Sequence, residues 1–246
     1  MRRFGFAIGK GEPVPRLRVI ATCLAAAILL AAVPPAPAYI ILGSNTWDSS
    51  AEDWHSTFHP TDLTPQSSGG HPNGWLQISF PAITADPPPA GTDPAWYDML
   101  YTPATNLFTG TWATNMWVQF DFWSSNEVAN TLQVRWQSAT NDYVWSYNLT
   151  PSSTQTWATF ATPFADWTQW ILGPGATQDK YLSDLATIDW IGVYIYRTGT
   201  NAQTYGLDNW DLMVPEPAEF LLLGAALVVS LWSLRRQRRN GRPRAN

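Results

Sequence analysis

In the middle of the chain, apolar side chains recur at every second residue. The alternation is clearest in residues 76–80, 116–123 and 131–137, where apolar side chains alternate with polar or aromatic ones. Because successive side chains of a β-strand point to opposite faces, this period predicts strands that each bury one face. The same period predicts further strands at Tyr143–Leu149, Thr156–Thr162, Ile188–Tyr196 and Thr204–Met213.

Clusters of turn-forming residues separate these segments, for example residues 67–70 (Ser-Ser-Gly-Gly) and 86–89 (Asp-Pro-Pro-Pro). Helix is predicted only at Lys180–Leu185, as a single turn. Seven or more short strands with polar turns are typical of a sandwich or jelly roll. We therefore predict an all-β domain over residues 39–213, a single antiparallel β-sandwich that is jelly-roll-like and large enough for one hydrophobic core.

The composition excludes two classes of protein. Only 13% of the 246 residues are charged, and 15 are tryptophan. Between Tyr39 and Val214 there are three basic residues and 16 acidic ones, a formal charge of −13. Such an acidic surface repels phosphate backbones, which excludes a nucleic-acid-binding protein. The many aromatic and β-branched residues exclude a disordered chain.

The N-terminal segment has the three-part pattern of a secretory signal. Basic residues up to Arg18 precede an apolar run from Val19 to Val33, and small residues at Ala36 and Ala38 follow. This pattern predicts a signal peptide over residues 1–38, cleaved by signal peptidase. The alternative is a membrane-spanning helix, but about 15 residues reach roughly 22 Å, short of a roughly 30 Å hydrocarbon core.

The C-terminal segment contains a short motif, an apolar stretch and a basic cluster, in that order. The apolar stretch Phe220–Leu234 predicts a transmembrane helix that anchors the protein in the inner membrane, with the basic side in the cytoplasm. The alternative is a plain tail anchor that is never cleaved. The motif is Val214, Pro215, Glu216 and Pro217, and the basic cluster is Arg235, Arg236, Arg238 and Arg239.

These three parts resemble the PEP-CTERM sorting signal of exported proteins in Gram-negative bacteria. The resemblance covers residues 214–246 only. It implies that a membrane-embedded exosortase with a cysteine nucleophile recognises Val214–Pro217 and cleaves the tail, while Arg235–Arg239 act as the retention cluster. It also implies a destination at the cell surface or in the extracellular matrix, since such proteins are common in organisms that form exopolysaccharide and biofilms.

A second resemblance concerns the two ends of the middle domain. The domain opens with Trp47-Asp48 and Glu52-Asp53-Trp54, and it closes with the sequence Tyr-Gly-Leu-Asp-Asn at 205–209. An acidic, aromatic first strand and such a last strand are similar to jelly-roll carbohydrate-binding modules and galactose-binding-like domains. The resemblance implies that the first and last strands pair and that a structural calcium ion lies near Asp208. The candidate ligands are then Asp48, Glu52, Asp53 and Asp208, because calcium prefers carboxylate oxygens. The alternative is that they are solvated surface acids.

One predicted strand carries a stripe of aromatic side chains. Trp190, Tyr194 and Tyr196 share a face opposite the apolar residues of Ile188–Tyr196, and Gly192 leaves a gap between the rings. Aromatic rings on a sheet stack on the apolar faces of sugars, so the stripe is a candidate polysaccharide-binding surface. We expect Trp117 and Trp123, on a neighbouring strand, to extend it. The alternative is that these rings fill the core.

The sequence carries no catalytic motif. It has no Gly-x-Ser-x-Gly, phosphate-binding loop or zinc-ligand spacing. With 16 acidic residues, a pair of carboxylates is always available and therefore not informative about a glycosidase. We therefore expect a non-catalytic, exported domain that binds polysaccharide. The alternatives are a purely structural matrix protein without a ligand and a polysaccharide hydrolase.

Overall fold

The structure is a computed structural model, and it describes residues 39–59, 63–83, 94–102, 107–172 and 175–216. The described residues form two antiparallel sheets of six strands each. This arrangement confirms the predicted β-sandwich. The strands are β1 (Tyr39–Asn45), β2 (His55–Ser56), β3 (Leu63–Gln66), β4 (Trp75–Phe80), β5 (Tyr97–Tyr101), β6 (Trp117–Ser124), β7 (Thr131–Ser138), β8 (Val144–Leu149), β9 (Ala158–Pro163), β10 (Trp170–Ile171), β11 (Ile188–Tyr196) and β12 (Gln203–Pro215).

Sheet A has the order β3-β4-β12-β6-β9, and β1 pairs with β12 as well. Strands β4 and β1 follow one another along the same edge of β12, because β4 pairs with its first half and β1 with its second half. Sheet B has the order β10-β8-β7-β11-β5-β2. Strands adjacent in sequence thus often lie in different sheets, and the interleaved order fits the expectation of a jelly-roll-like sandwich.

The core lies between the two sheets and is formed by the alternate residues that the sequence period predicts. In β4, for example, Leu76, Ile78 and Phe80 are buried while the residues between them are half-buried. Tryptophan makes up much of this core, and rings such as Trp54 and Trp210 meet edge to face at 5.0 Å. Within the described ranges, eight tryptophans are buried: Trp47, Trp54, Trp96, Trp112, Trp136, Trp145, Trp170 and Trp210.

The first and last strands pair, as the second resemblance implies. Strand β1 runs antiparallel to the end of β12, from Tyr39 opposite Pro215 to Asn45 opposite Trp210. The prediction that Trp47-Asp48 and Glu52–Trp54 form the first strand is wrong, because these residues lie in the loop between β1 and β2. Three of them, Trp47 among them, have positive φ angles, which extended strands do not use.

A single α-helix, α1 (Gln178–Leu185), occurs in the part of the chain that the structure describes. Thr177 caps its N-terminus by accepting a hydrogen bond from the Lys180 backbone N–H. The helix therefore starts earlier than the predicted turn at Lys180. Its residue Asp184 is buried and accepts hydrogen bonds from Trp145 Nε1 (2.9 Å) and Asn141 Nδ2 (2.7 Å), which join the helix to sheet B.

The predicted signal peptide and the predicted sorting signal lie outside the described residues, except for Val214, Pro215 and Glu216 of the sorting motif. The signal peptide (1–38), Pro217, the apolar stretch and Arg235–Arg239 are not described. Strand β12 continues through Val214 to Pro215, two residues beyond the predicted end of the domain at 213. Across the described ranges, no helix has the length and apolar character needed to cross a membrane.

Candidate functional site

The aromatic stripe of β11 lies on the outer face of sheet B. Trp190, Tyr194 and Tyr196 are half-buried, while Ile191 and Val193 on the opposite face are fully buried in the core. The side chains alternate in this way because successive residues of a strand point to opposite faces. Strand β11 pairs with β7 on one edge and β5 on the other, so only its two faces differ in exposure. The stripe is therefore partly accessible to solvent and is not part of the core.

Strand β5 adds two rings to this face. Tyr97 meets Tyr194 with ring centroids 5.8 Å apart, and Tyr101 meets Trp190 at the same separation. Trp190 and Tyr194 are four residues apart on one strand, which corresponds to about 13 Å. The two pairs thus form a surface long enough for several sugar rings. We call these four side chains, Tyr97, Tyr101, Trp190 and Tyr194, the aromatic face.

Strand β7 borders the aromatic face with hydrogen-bonding side chains. Gln137 accepts a hydrogen bond from Trp190 Nε1 (2.7 Å) and so fixes the indole ring. The Arg135 guanidinium stacks on the Tyr194 ring, 3.5 Å from its centroid, and its Nε donates to Gln133 Oε1 (2.8 Å). Gln133 in turn donates to Asn148 Oδ1 on β8 (2.6 Å). This polar row supplies amide and guanidinium groups beside the rings, as sugar hydroxyls require.

A shallow open depression of about 350 Å³ lies at the Trp190 end of the aromatic face. Its walls are Thr57, Met99, Tyr101 and Trp190, so that two of its four residues are rings of the aromatic face. The depression is open to solvent and mostly apolar. A sugar ring placed there would contact the indole of Trp190.

The structure gives Gly192 a different explanation from the predicted ligand gap. The glycine is buried, and a Cβ atom built on it would lie 1.9 Å from the carbonyl oxygen of Leu100 and 2.6 Å from Tyr101 Cα. Because both atoms belong to the backbone of β5, glycine is needed here for the close approach of β5 to β11.

The prediction that Trp117 and Trp123 extend the stripe is wrong. They lie on β6, which pairs with β12 and β9 in sheet A, whereas the stripe lies on sheet B. Alternation shows which side chains of one strand share a face, but it does not show which strands pair. Strands β6 and β11 both alternate, yet they lie in different sheets. Trp117 packs edge to face with Tyr39 at 6.2 Å.

Trp123 belongs to a second aromatic cluster on the outer face of sheet A. Its partners are Trp75 at 5.8 Å and Trp157 at 6.4 Å, and Gly206 lies beneath the rings. The indole nitrogens of Trp75 and Trp157 donate to the carbonyls of Ser68 and Gly69. The cluster therefore holds the loop between β3 and β4 against sheet A.

The four candidate calcium ligands do not come together as one group. Asp48 accepts a hydrogen bond from the Gly74 N–H (2.8 Å), and Asp208 accepts one from the His71 N–H, so both bind the β3–β4 loop. Glu52 instead accepts hydrogen bonds from Asn45 at the end of β1 and from Trp47 in its own loop, and Asp53 is exposed. No group of three or more His, Cys, Asp or Glu side chains within the described ranges is arranged to hold a metal ion. Calcium binding stays a prediction.

Asp208 lies beside a carboxylate that the sequence did not single out. It is opposite Asp121 in the β6–β12 pairing, and both side chains are buried. Burial raises the pKa of Asp208 to about 6, and the charges of Asp121 and Asp48 add to this effect. Asp121 accepts hydrogen bonds from Thr159 Oγ1 and Asn209 Nδ2 and contacts His71 Nδ1 at 3.0 Å. These groups fasten the loop and do not face one another across a cleft.

A buried carboxylate next to the aromatic face, Asp98, is also fully used by hydrogen bonds within the fold. Asp98 of β5 points into the core and accepts hydrogen bonds from Ser56 Oγ and from the backbone N–H groups of Thr57 and Phe58. Its Oδ2 also contacts His59 Nδ1 at 2.9 Å. In this arrangement the serine donates to the aspartate, so His59 is not placed as the base of a nucleophilic serine.

Sequence reasoning missed the partners of the stripe. Tyr97, Met99 and Tyr101 alternate with the buried residues Asp98 and Leu100, and this period-two signal was available. Arg135 was one of three cations in an acidic domain, which was also a usable signal. What the sequence did not provide is that β5 and β7 lie on either side of β11.

Comparisons with known proteins gave similar solved structures. No protein-family model matches the chain, and no curated protein matches it. The family 11 carbohydrate-binding module of the cellulosomal cellulase Lic26A-Cel5E of Clostridium thermocellum is 20% identical, with 73% of this chain and 96% of that chain covered and a TM-score of 0.41. The family 30 module of the cellulosomal cellulase Cel9D-Cel44B of the same organism is 9% identical, with coverages of 72% and 94% and a TM-score of 0.43. The L4b domain of human laminin alpha-2 is 10% identical, with coverages of 74% and 100% and a TM-score of 0.46. Because these TM-scores are below 0.5, no property of these proteins is transferred to this chain.

Proposed function

We propose that the β-sandwich binds polysaccharide through the outer face of sheet B and that it does so without catalysing a reaction. The observation that carries the proposal is the aromatic face, two pairs of half-exposed rings bordered by the polar row of β7. The rings offer apolar surface to the C–H faces of sugars, and the neighbouring amides and guanidinium offer hydrogen bonds to hydroxyl groups. A flat, open face of this kind suits a chain-like ligand.

Affinity electrophoresis against a panel of polysaccharides tests this proposal. We expect one or more polymers to retard the protein, and Trp190→Ala to abolish most of the retardation because it removes the ring above the depression. Trp123→Ala is the matched control, since Trp123 is also a half-buried tryptophan but lies on the other sheet. Retardation that is lost with Trp123→Ala and kept with Trp190→Ala would place the ligand on the wrong face and refute the proposal.

The alternative of a purely structural matrix protein makes a different prediction about tryptophan. It requires nearly all indoles to be inaccessible, whereas Trp75, Trp117, Trp123, Trp157, Trp167 and Trp190 are half-buried. Quenching of tryptophan fluorescence by acrylamide, with and without the retarding polymer, separates the two. Protection of a quenchable fraction by the polymer favours binding.

A non-catalytic role is favoured by the position of the carboxylates. In the strands of sheet B these are Asp98, which is engaged in the core, and Asp189, the second residue of β11. A glycosidase requires two carboxyl groups that face each other roughly 5–10 Å apart across the sugar. Release of reducing ends from a polymer that the protein binds would contradict this part of the proposal.

We also propose that the protein is exported and sorted through its C-terminal segment by an exosortase of a Gram-negative bacterium, to the cell surface or an extracellular matrix. The sequence of residues 214–246 supports this: Val214–Pro217, an apolar stretch and Arg235–Arg239. Two features of the sandwich are compatible with it. Strand β12 ends at Pro215, and Tyr39 lies opposite Pro215, so the chain enters and leaves the domain at one place.

The mass of the mature protein tests the sorting proposal. In a host with an exosortase we expect loss of residues 1–38 and of the segment after the motif, and in an exosortase-deficient host the tail stays attached. Glu216→Ala should block removal of the tail, and Glu219→Ala, an acid just outside the motif, is the control. Equal removal of the tail in both hosts would refute the proposal.

A further inference from the structure

The outer face of sheet B carries one strong positive charge near its centre. Arg135 of β7 lies opposite Gly192 of β11 on one side and Ser146 of β8 on the other. The acidic residues in the strands of this sheet are Asp98, which is turned into the core, and Asp189, at the irregular pairing beside Trp190. The centre of the face is thus cationic in a domain with a formal charge of −13.

Arg135 differs from the other two cations of the domain in its partners. Lys180 forms an ion pair with Asp184 (3.2 Å), and Arg197 is buried and donates to three backbone carbonyls. Arg135 has no carboxylate partner among the described residues; it stacks on Tyr194 and donates to Gln133. Burial lowers the pKa of Arg135, because its charged form has lost hydration, yet an arginine stays protonated in proteins.

A partly dehydrated cation without a counter-charge is stabilised by any anion that reaches it. The guanidinium lies over the Tyr194 ring and donates through Nε to Gln133. Its planar fork also carries paired N–H donors in the geometry that a carboxylate accepts. We propose that the ligand is an acidic polysaccharide and that Arg135 binds the carboxylate of a uronic acid residue while the aromatic face stacks on the neighbouring rings. This inference rests on the proposed polysaccharide-binding function and names the class of polymer.

The negative charge of the rest of the domain makes binding of a polyanion selective for Arg135. Elsewhere the carboxylates repel a polyanion, so a charged polymer gains only where its carboxylate reaches Arg135. Tyr97 and Tyr194 lie next to this point, and the second ring pair lies about 13 Å along the strand. The spacing places a charged sugar at Arg135, beside Tyr194, and a further sugar of the same chain at Trp190.

The experiment compares each acidic oligosaccharide with its own carboxyl-reduced form, which keeps the linkage and loses the charge. The purified full-length protein is titrated calorimetrically with oligomers of polygalacturonate, alginate and polyglucuronate, and with the reduced forms. We expect binding of at least one acidic series, and at least about tenfold weaker binding of its reduced form, the loss of one charge-assisted contact.

Substitutions then assign the effect to the residue. Arg135→Gln should weaken binding of the acidic oligomer about tenfold or more, and of the reduced oligomer less than about threefold; Arg135→Lys should keep part of the affinity. Lys180→Gln is the matched control, because it removes the same charge from α1, whose Tyr181 packs on the core residues Trp136 and Trp145 and not on the aromatic face. Circular dichroism verifies that each variant is folded.

The outcomes separate this inference from the proposed function. If the wild-type protein binds neutral or reduced oligomers as tightly as acidic ones, or if Arg135→Gln weakens both equally, the acidic ligand is refuted and polysaccharide binding stands. If Lys180→Gln weakens binding as much as Arg135→Gln, the effect is one of net charge, and the role of Arg135 is refuted. If no oligomer or polymer binds, both are refuted.

Discussion

Replacing Gly192 by alanine tests whether glycine is needed here for the close approach of β5 to β11 or leaves a gap for a ligand. It lies between Trp190 and Tyr194 on the outer face of sheet B, where the gap could have served a ligand. The structure instead places its Cβ position against the backbone of β5, at Leu100 and Tyr101. The two explanations make opposite predictions, because only the second requires the sheet itself to move when a methyl group is added.

The expected cost follows from the distances. At 1.9 Å from the Leu100 oxygen and 2.6 Å from Tyr101 Cα, the methyl group forces a shift of about 1 Å or more between two paired strands. Overpacking of a rigid site costs about 1–3 kcal/mol, and a weakened strand hydrogen bond adds about 1 kcal/mol. The gain of about 0.5–1 kcal/mol from replacing a strand glycine offsets part of this. We expect a net loss of about 2–3 kcal/mol in the free energy of unfolding.

Gly206→Ala is the matched control. Its Cβ would also be crowded, at 2.6 Å from Trp75 and 2.9 Å from Trp157, but these are side-chain atoms and not the backbone of a paired strand. The rings can yield by small shifts that paired backbone cannot make, so Gly206→Ala should cost less than Gly192→Ala. Urea unfolding followed by fluorescence and circular dichroism measures both variants. If Gly192→Ala costs no more than Gly206→Ala but lowers polysaccharide affinity, the ligand gap is the better explanation.

Three further predictions concern carboxylates. The Asp208 pKa of about 6 lies above the usual value for an unfolded chain, so ionisation of this carboxyl opposes folding. Stability relative to Asp208→Asn should therefore fall by about 2 kcal/mol as pH rises from about 4 to 7, in urea unfolding with chelator present; a constant difference would contradict this. If calcium binds as the second resemblance implies, a chelator should lower the melting temperature by several degrees; identical melting curves would remove calcium from the account. Asp184→Ala should lower the free energy of unfolding by about 2–4 kcal/mol, because it leaves Trp145 Nε1 buried without an acceptor. Asp179→Ala on the same helix should lower it by under about 0.5 kcal/mol, and equal midpoints of the two variants in urea would refute this.

Strands with one buried face could be predicted from the sequence, and strands without a clear period could not. The segments Trp75–Phe80, Thr131–Ser138 and Ile188–Tyr196 alternate because one face meets the core, and the sequence period locates them. Strand β1 was missed because four consecutive residues, Tyr39 to Leu42, are exposed and apolar, so no alternation marks it. Its pairing with β12 followed only from a family resemblance.

In the candidate site, too, features of a single strand could be predicted and contacts between strands could not. Alternation within β11 predicts that Trp190, Tyr194 and Tyr196 share a face, because that is a property of one strand. Which strands flank β11 depends on contacts between residues far apart in sequence, and this is why Tyr97 and Arg135 were not identified. The same non-local dependence misplaced Trp117 and Trp123, whose strand satisfies the period equally well in sheet A.

The position of β12 determines how the domain responds to mechanical load. The tail leaves from this strand, which has hydrogen-bonded neighbours on both edges, β6 on one side and β4 followed by β1 on the other. A force applied at Pro215 along the axis of β12 therefore loads these hydrogen bonds together in shear, instead of opening them one at a time from an edge. A protein tethered by this end in flowing medium would resist extraction of its last strand, since forced unfolding depends on the rate of that cooperative step.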